Sequence, residues 1–149
     1  MSESERLERF AVTATAESGT RTAVTTRGFE FVVDEPDDLG GTNEGPNPVE
    51  YLLGAWAGCI NVVAHTVADE RDVDLHDVDV ELEGELDPAA FMGMADDVRP
   101  GYQSIEVTVH VDADADEETL RELLAEVEDR CPVGDNIEND TPVTLTLDA

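Results

Sequence analysis

Alternation of apolar and polar residues marks several extended stretches along the chain. Phe10 and Val12 begin an N-terminal strand, and Phe29, Phe31 and Val33 alternate with Glu30, Val32 and Asp34 in another. Ser18-Gly19 and Arg27-Gly28 read as the hairpin turns between strands. Farther on, Val78, Val80 and Leu82 alternate with Asp79, Glu81 and Glu83, and Ile105, Val107, Val109 and Val111 with Glu106, Thr108, His110 and Asp112. Each is a half-buried strand with a polar outer face. Val143, Leu145 and Leu147 predict a last strand. From Asp34 to Pro46 the sequence DEPDDLGGTNEGP is turn chemistry throughout and predicts a loop, while Asp87 to Tyr102, with Phe91, Met92 and Met94, predicts an ordered loop that covers something.

Two stretches carry helical spacing. Asn47-Pro48-Val49-Glu50 fits a helix start, with Asn as N-cap, Pro in the first helical position and Glu closing a capping box. The run that follows, to about Asp72, places Val49, Leu52, Leu53, Trp56, Ala57, Ile60, Val62, Val63 and Val67 on almost every face, which predicts a central helix buried all round. The second helix spans roughly Asp116 to Arg130, with Leu120, Leu123, Leu124 and Val127 inward and Asp116, Glu117 and Glu118 at its N-terminus, where negative charge is favoured. Three strands, long helix, two strands, helix and strand make an α+β domain with antiparallel sheet. At 149 residues the chain is the size of one domain, so residues 1–149 are read as a single one.

Charge changes the picture most. Asp and Glu number 37 against 8 Lys plus Arg, all of them Arg, for a net charge of −29. Such a field repels phosphate backbones and anionic bilayers, so neither nucleic acid nor a membrane surface is an expected partner. The carboxylates are spread over every segment. In molar salt, where the screening length falls to roughly 3 Å, their repulsion vanishes while they keep the surface hydrated. The expectation is the cytoplasm of a salt-accumulating organism. The start Met-Ser-Glu-Ser-Glu-Arg lacks the pattern of a secretory leader, and the longest apolar candidate for a membrane span, Leu52 to His65, is interrupted by Gly, Cys and Asn.

Candidate chemistry rests on two cysteines. Cys131 lies four residues past Val127 and seven past Leu124, so it extends the inward stripe of the second helix; Cys59 sits in the middle of the first. Pro132 disfavours helical geometry at Cys131 and can open a new short turn, whose backbone N–H groups would favour a Cys131 thiolate. Spacing leaves three readings open: inert buried thiols, a redox pair, or a metal ligand or lone nucleophile. Other signals are weaker. Asp112-Ala-Asp114-Ala-Asp116 imitates a calcium loop, but its sixth position is Glu117 and its twelfth Leu123, so it reads as a strand-to-helix turn. Gly40-Gly41 to Gly45 lacks the lysine of a phosphate loop. His65 is off the face of Cys59, His76 precedes a strand, and His110 sits on a polar side, so no zinc-ligand spacing appears. Trp56 neighbours Cys59 on the helix, where it packs the core or walls an apolar pocket.

The stretch GGTNEGPNPVEYLLGAWAGCINVV, then RPGYQSIEVTVHV, the acidic helix and RCPVGDNIENDTPV, resembles the OsmC/Ohr family of organic hydroperoxide reductases from Arg21 to Leu147. The resemblance implies the OsmC-like fold, an intertwined homodimer with active sites where the subunits meet, and a thiol peroxidase that needs no metal, flavin or haem. Cys59 matches the peroxidatic cysteine and Cys131 the resolving one, which closes a disulfide that an external dithiol reduces. In the family's organic-hydroperoxide members a Glu ten residues before the reactive cysteine pairs with an Arg from the early strands. Here that position is Val49, while Glu50 lies nine residues before Cys59, on the opposite side of an ideal helix. Arg21 matches the family arginine best, with Arg27 the competitor. The sequence looks more like an OsmC-like subgroup in which peroxidase activity is an inference, and the alternative is a module that binds a small apolar ligand or senses redox state.

Overall fold

The computed structural model describes residues 2–149, which fall into two compact units meeting between Leu52 and Leu53. The N-terminal unit holds a short helix α1 (Glu3–Arg6) and strands β1 (Thr13–Ala16), β2 (Thr22–Thr26) and β3 (Phe29–Val33). They form one antiparallel sheet in the order β1-β2-β3. Between β2 and β3 the chain reverses over Arg27 and Gly28, at φ of 49° and 86°, the left-handed pair that suits the twist of a tight hairpin. The first strand starts later than predicted, at Thr13, and Phe10 and Val12 stand 85% and 65% exposed before it. The pairing of β1 with β2 runs to Thr13–Thr25, beyond which the Thr26 hydroxyl donates to the Ala11 carbonyl at 2.9 Å.

The loop after β3 is ordered by Asp34, the one buried charged residue among those described. Its Oδ1 accepts from the Glu35 N–H at 2.7 Å and the Thr42 N–H at 3.4 Å, and its Oδ2 accepts from the Thr42 hydroxyl and, at 3.2 Å, from the Glu44 N–H. These donors satisfy a carboxylate that burial alone would penalise. The Thr42 hydroxyl foremost holds the Asp34 carboxyl down to about 2. Where a loop without regular structure was predicted, Asp37–Leu39 form a single 3-10 turn. The loop delivers the chain to α2 (Pro48–Glu70). The capping box forms as predicted: the Asn47 N–H donates to Glu50 Oε1 and the Glu50 N–H to Asn47 Oδ1, both at 2.9 Å.

In the second unit, β4 (Asp74–Leu86) and β5 (Tyr102–Asp114) pair antiparallel, longer than predicted, with side chains alternating between half-buried and exposed. β4 begins at Asp74, so His76 lies inside it and not ahead of it, at a register shift between Leu75 and Asp77. α4 (Glu117–Arg130) is capped by Asp116, which accepts from the Thr119 N–H at 2.8 Å, and α5 (Pro132–Glu138) follows at once. Ile60, Ala64, Val67 and Ala68 of α2 pack with Leu123 and Val127 of α4 and with Cys131, over Leu75, Val80, Val107 and Val109 of the sheet. Arg71 binds Glu126 at 3.2 Å and Arg130 binds Glu70 at 2.6 Å, two ion pairs that tie the end of α2 to α4.

Three expectations give way here. α2 is buried on one face only, and Leu52 and Val62 are 41% and 65% exposed, because one α4 and one two-stranded sheet cover a single side of a helix that is apolar on all of them. At 23 residues, with an 18-residue window of hydropathy 1.3, it also meets the length and composition of a membrane span, which the interrupted run did not suggest. The connector between β4 and β5 is a short helix α3 (Pro88–Phe91) and turns, and Phe91, Met92 and Met94 are 80%, 62% and 76% exposed, so they form no cover over the described residues. Finally, the last strand is absent: residues 140–149 carry no regular structure, and Val143, Leu145 and Leu147 are 83%, 97% and 88% exposed. An alternating segment becomes a strand only against an edge that takes its backbone hydrogen bonds.

Two outcomes follow. Leu123 is wholly buried, so Leu123→Ala should cost about 2–5 kcal/mol in denaturant unfolding, the usual penalty for such a cavity. Asp34, held below the unfolded carboxylate value of roughly 3.9, stabilises the fold above that pH and loses its contribution as pH falls through about 2. The gap in Tm between wild type and Asp34→Asn should therefore be widest above about pH 4 and close toward pH 2. A gap that does not depend on pH would show that the carboxylate charge is not what orders the loop.

Candidate functional site

The two cysteines come together from elements fixed by the core of the second unit. Cys59 lies one residue before the buried Ile60 on α2, so the helix that seats Ile60 between α4 and the sheet also sets the direction of the thiol. Cys131 ends α4 and caps α5 in an extended conformation, φ −80° and ψ 111°, as the following Pro132 requires. Its side chain continues the stripe of Leu123 and Val127 and is 2% exposed. Both cysteines are free thiols, and their sulfurs lie 2.8 Å apart, sharing a hydrogen bond. A disulfide bond of about 2.05 Å needs less than about 1 Å of further approach.

Cys59 is the more accessible of the two. Burial pushes its thiol above the ordinary value, the neighbouring Cys131 adds to this, and the backbone N–H of Val133 pulls the other way. The Cys131 side chain makes no cap hydrogen bond.

Beside the pair lies a cavity of about 530 Å³ whose walls include Trp56, Ile60, Val107, Val109, Leu124 and Val127. Cys131 and Gly134 form part of its lining, and Arg121, Glu128 and Glu138 supply the polar atoms. Trp56 thus both packs on the core and walls a pocket. The cavity opens onto Cys131, and Cys59 is not part of its lining.

The other sequence candidates sit in the N-terminal unit and bond within it. Arg21 Nε binds Glu17 Oε1 at 2.9 Å and a second guanidinium nitrogen binds Glu44. Glu50 is the capping residue described above. Arg27 stacks over the Phe29 ring at 5.2 Å. The sequence reading missed one grouping: Asp74, His76 and Asp114 at one end of the β4–β5 pair bring three donor atoms within 4.8 Å, all exposed. His76 Nε2 lies 3.2 Å from Asp114 Oδ2, and that carboxylate raises the affinity of the imidazole for its proton. Asp74 is the register partner of Asp114 and His76 shares its exposed face two residues on, a grouping that appears only once the two strands are paired. Also missed was the close approach of Gly134 to Trp56, which lies 78 residues upstream (134 − 56) and so leaves no local trace.

Comparison with known proteins agrees with this architecture. The profile of the family described as OsmC-like protein matches residues 41–146. A search of curated sequences finds no match. Among solved structures, an OsmC-like protein from Mycoplasma pneumoniae superposes with a TM-score of 0.77 at 18% identity, covering 88% of each chain. An organic hydroperoxide resistance protein OsmC from Legionella pneumophila gives 0.64 at 22% identity, over 88% of this chain and 90% of that one. The organic hydroperoxide resistance protein OhrB of Bacillus subtilis gives 0.59 at 22% identity, over 89% and 93%. At these identities the likeness is one of fold: mixed α and β, antiparallel sheets and a long central helix.

Proposed function

The chain belongs to the family of OsmC-like proteins, and on that premise we propose that it is a thiol-dependent peroxidase acting on organic hydroperoxides. The observation that carries the reading is the pair of free thiols 2.8 Å apart, one accessible and one buried. The Cys59 thiolate attacks the O–O bond, takes the terminal oxygen as a sulfenic acid and releases an alkoxide, which leaves as the alcohol once protonated. The Cys131 sulfur then attacks Cys59 and water departs with the sulfenic oxygen. Two thiols and one hydroperoxide become one disulfide, one alcohol and one water. An external dithiol, by class the missing reductant, restores the thiols by exchange. No metal, flavin or haem enters any step. Arg21 and Glu50 stay in the reading as candidate supports for the thiolate.

The same reading has the protein work as a single domain in a homodimer, in the cytoplasm of a salt-accumulating cell, apart from nucleic acid and membranes. Large apolar side chains left in water, Phe10 in the first unit and Val62, Leu145 and Leu147 in the second, support a second copy. Supporting salt adaptation are the −29 charge and the placing of Glu83 directly opposite Glu106 across β4 and β5, a repulsion that salt screens. One observation favours a binding or redox-sensing module instead: the cavity reaches Cys131 and not Cys59, whose thiol burial pushes up.

Treatment of the reduced protein in high salt with one equivalent of cumene hydroperoxide should remove two hydrogens and give a peptide linking Cys59 to Cys131. With a dithiol present the reaction should turn over, and Cys59→Ser should abolish it. A Ser variant as fast as wild type would sink the assignment, and a single oxidation without turnover would favour the sensor. Tm should also rise with KCl, and equal stability in dilute buffer and in molar KCl would remove the salt argument.

A further inference from the structure

Two reactants must reach a pair of sulfurs 2.8 Å apart, and the second unit offers them different approaches. Cys59 is the more accessible thiol, yet it is not among the residues lining the cavity, so it is met from outside that space. Cys131, 2% exposed, does line it. The rest of the lining belongs to the same unit. Ile105, Val107 and Val109, alternate positions on one face of β5, supply one apolar wall, and Leu124 and Val127 of α4 supply another. The charged residues of the lining are Arg121, whose guanidinium is bound to Glu117 at 2.6 Å, and the carboxylates Glu128 and Glu138. At about 530 Å³ such a space takes a small apolar molecule. Two carboxylates against a cation already met turn anions away.

We propose that this cavity is the entry for the reductant: an uncharged, apolar dithiol binds in it and attacks the Cys131 sulfur of the Cys59–Cys131 disulfide. The proposal rests on the thiol cycle above and deepens it by assigning a site to the second reactant. Access helps decide which sulfur of a disulfide is attacked, and the cavity gives access to Cys131. The incoming thiolate bonds to that sulfur with its own electron pair. The bond between the cysteines breaks, and Cys59 departs as a thiolate that takes a proton from water. The reductant's second thiolate then attacks the sulfur of its first, which closes the reductant's own disulfide and releases Cys131 to be protonated in turn. Two electrons pass from the dithiol to the protein. Hydroperoxide at Cys59 and dithiol at Cys131 thus do not compete for one approach.

The test starts from the disulfide closed with diamide, which removes the two thiol hydrogens without any peroxide. Excess benzyl mercaptan is added, exchange is stopped in acid, and peptide mass spectrometry locates the benzyl adduct. It should sit on Cys131, with Cys59 a free thiol. At equal thiolate concentration the para-carboxylate of the same mercaptan should react about threefold to tenfold more slowly, because the ring is unchanged and the added charge meets Glu128 and Glu138. Ala125 is exposed on the cavity wall, so Ala125→Phe fills the space from a surface position and should slow benzyl mercaptan about tenfold. The position of the adduct is read on the wild type and depends on no variant. An adduct on Cys59, equal rates for the two mercaptans, a folded Ala125→Phe as fast as wild type, or a thiol pair that diamide does not close overturns the proposal. A protein that passes this test and fails to turn over cumene hydroperoxide keeps its cavity entry and loses the peroxidase reading. Turnover with the adduct on Cys59 does the reverse.

Discussion

The second unit depends on one contact, the seating of α2 against α4. Ile60, Ala64 and Val67 offer small and branched side chains at helical spacing, Leu123 and Val127 meet them, and all five are nearly inaccessible to solvent. Close packing of this kind tolerates little displacement. It is what makes a distance between sulfurs 72 residues apart a property of the fold, since Cys59 adjoins Ile60 and Cys131 continues the stripe of Val127. Ion pairs reinforce the seating without defining it. Exposed pairs such as Arg71–Glu126 and Arg130–Glu70 contribute about 1 kcal/mol or less each, and salt screens them further.

Much of this was legible in the sequence wherever the signal is local. The Asn47–Glu50 capping box, the Arg27-Gly28 turn, the alternation of β4 and β5 and the break at Cys131 before Pro132 all reflect interactions within a few residues. The meeting of the thiols was half legible: helical spacing turned Cys131 inward, but only packing brings it to Cys59. What failed did so for a shared reason. Alternation at Val143, Leu145 and Leu147, and apolar residues on every face of α2, say that a surface wants cover and say nothing about who provides it. The same holds for Phe91, Met92 and Met94. Asp34 was invisible for the opposite reason, because a single acidic residue in a loop of acidic residues gives no hint that it alone turns inward.

The sparse cations are placed with economy. Arg21 neutralises Glu17 and Glu44 at the loop that Asp34 organises, while Arg71 and Arg130 offset Glu126 and Glu70 where two acidic helices approach. Within single elements Arg121 meets Glu117 along α4 at 2.6 Å, and across the strands His76 meets Asp114 at 3.2 Å while Glu83 stands opposite Glu106. Two of these ion pairs join α2 to α4, and the repulsive remainder is left to the solvent.

The nearness of the two sulfurs has a consequence for damage. A sulfenic acid exposed to a second hydroperoxide is carried on to the sulfinic and sulfonic acids, from which a thiol is not recovered by exchange. At 2.8 Å, Cys131 would meet a sulfenic acid formed on Cys59 as a tethered neighbour and not as a solute, and well-oriented intramolecular reactions outrun their bimolecular counterparts by many orders of magnitude. Cys131 is 2% exposed, and its approach is through the cavity that it lines. On the proposed peroxidase reading, such a pair limits overoxidation under excess hydroperoxide, and its capacity is set by how fast the disulfide is reopened.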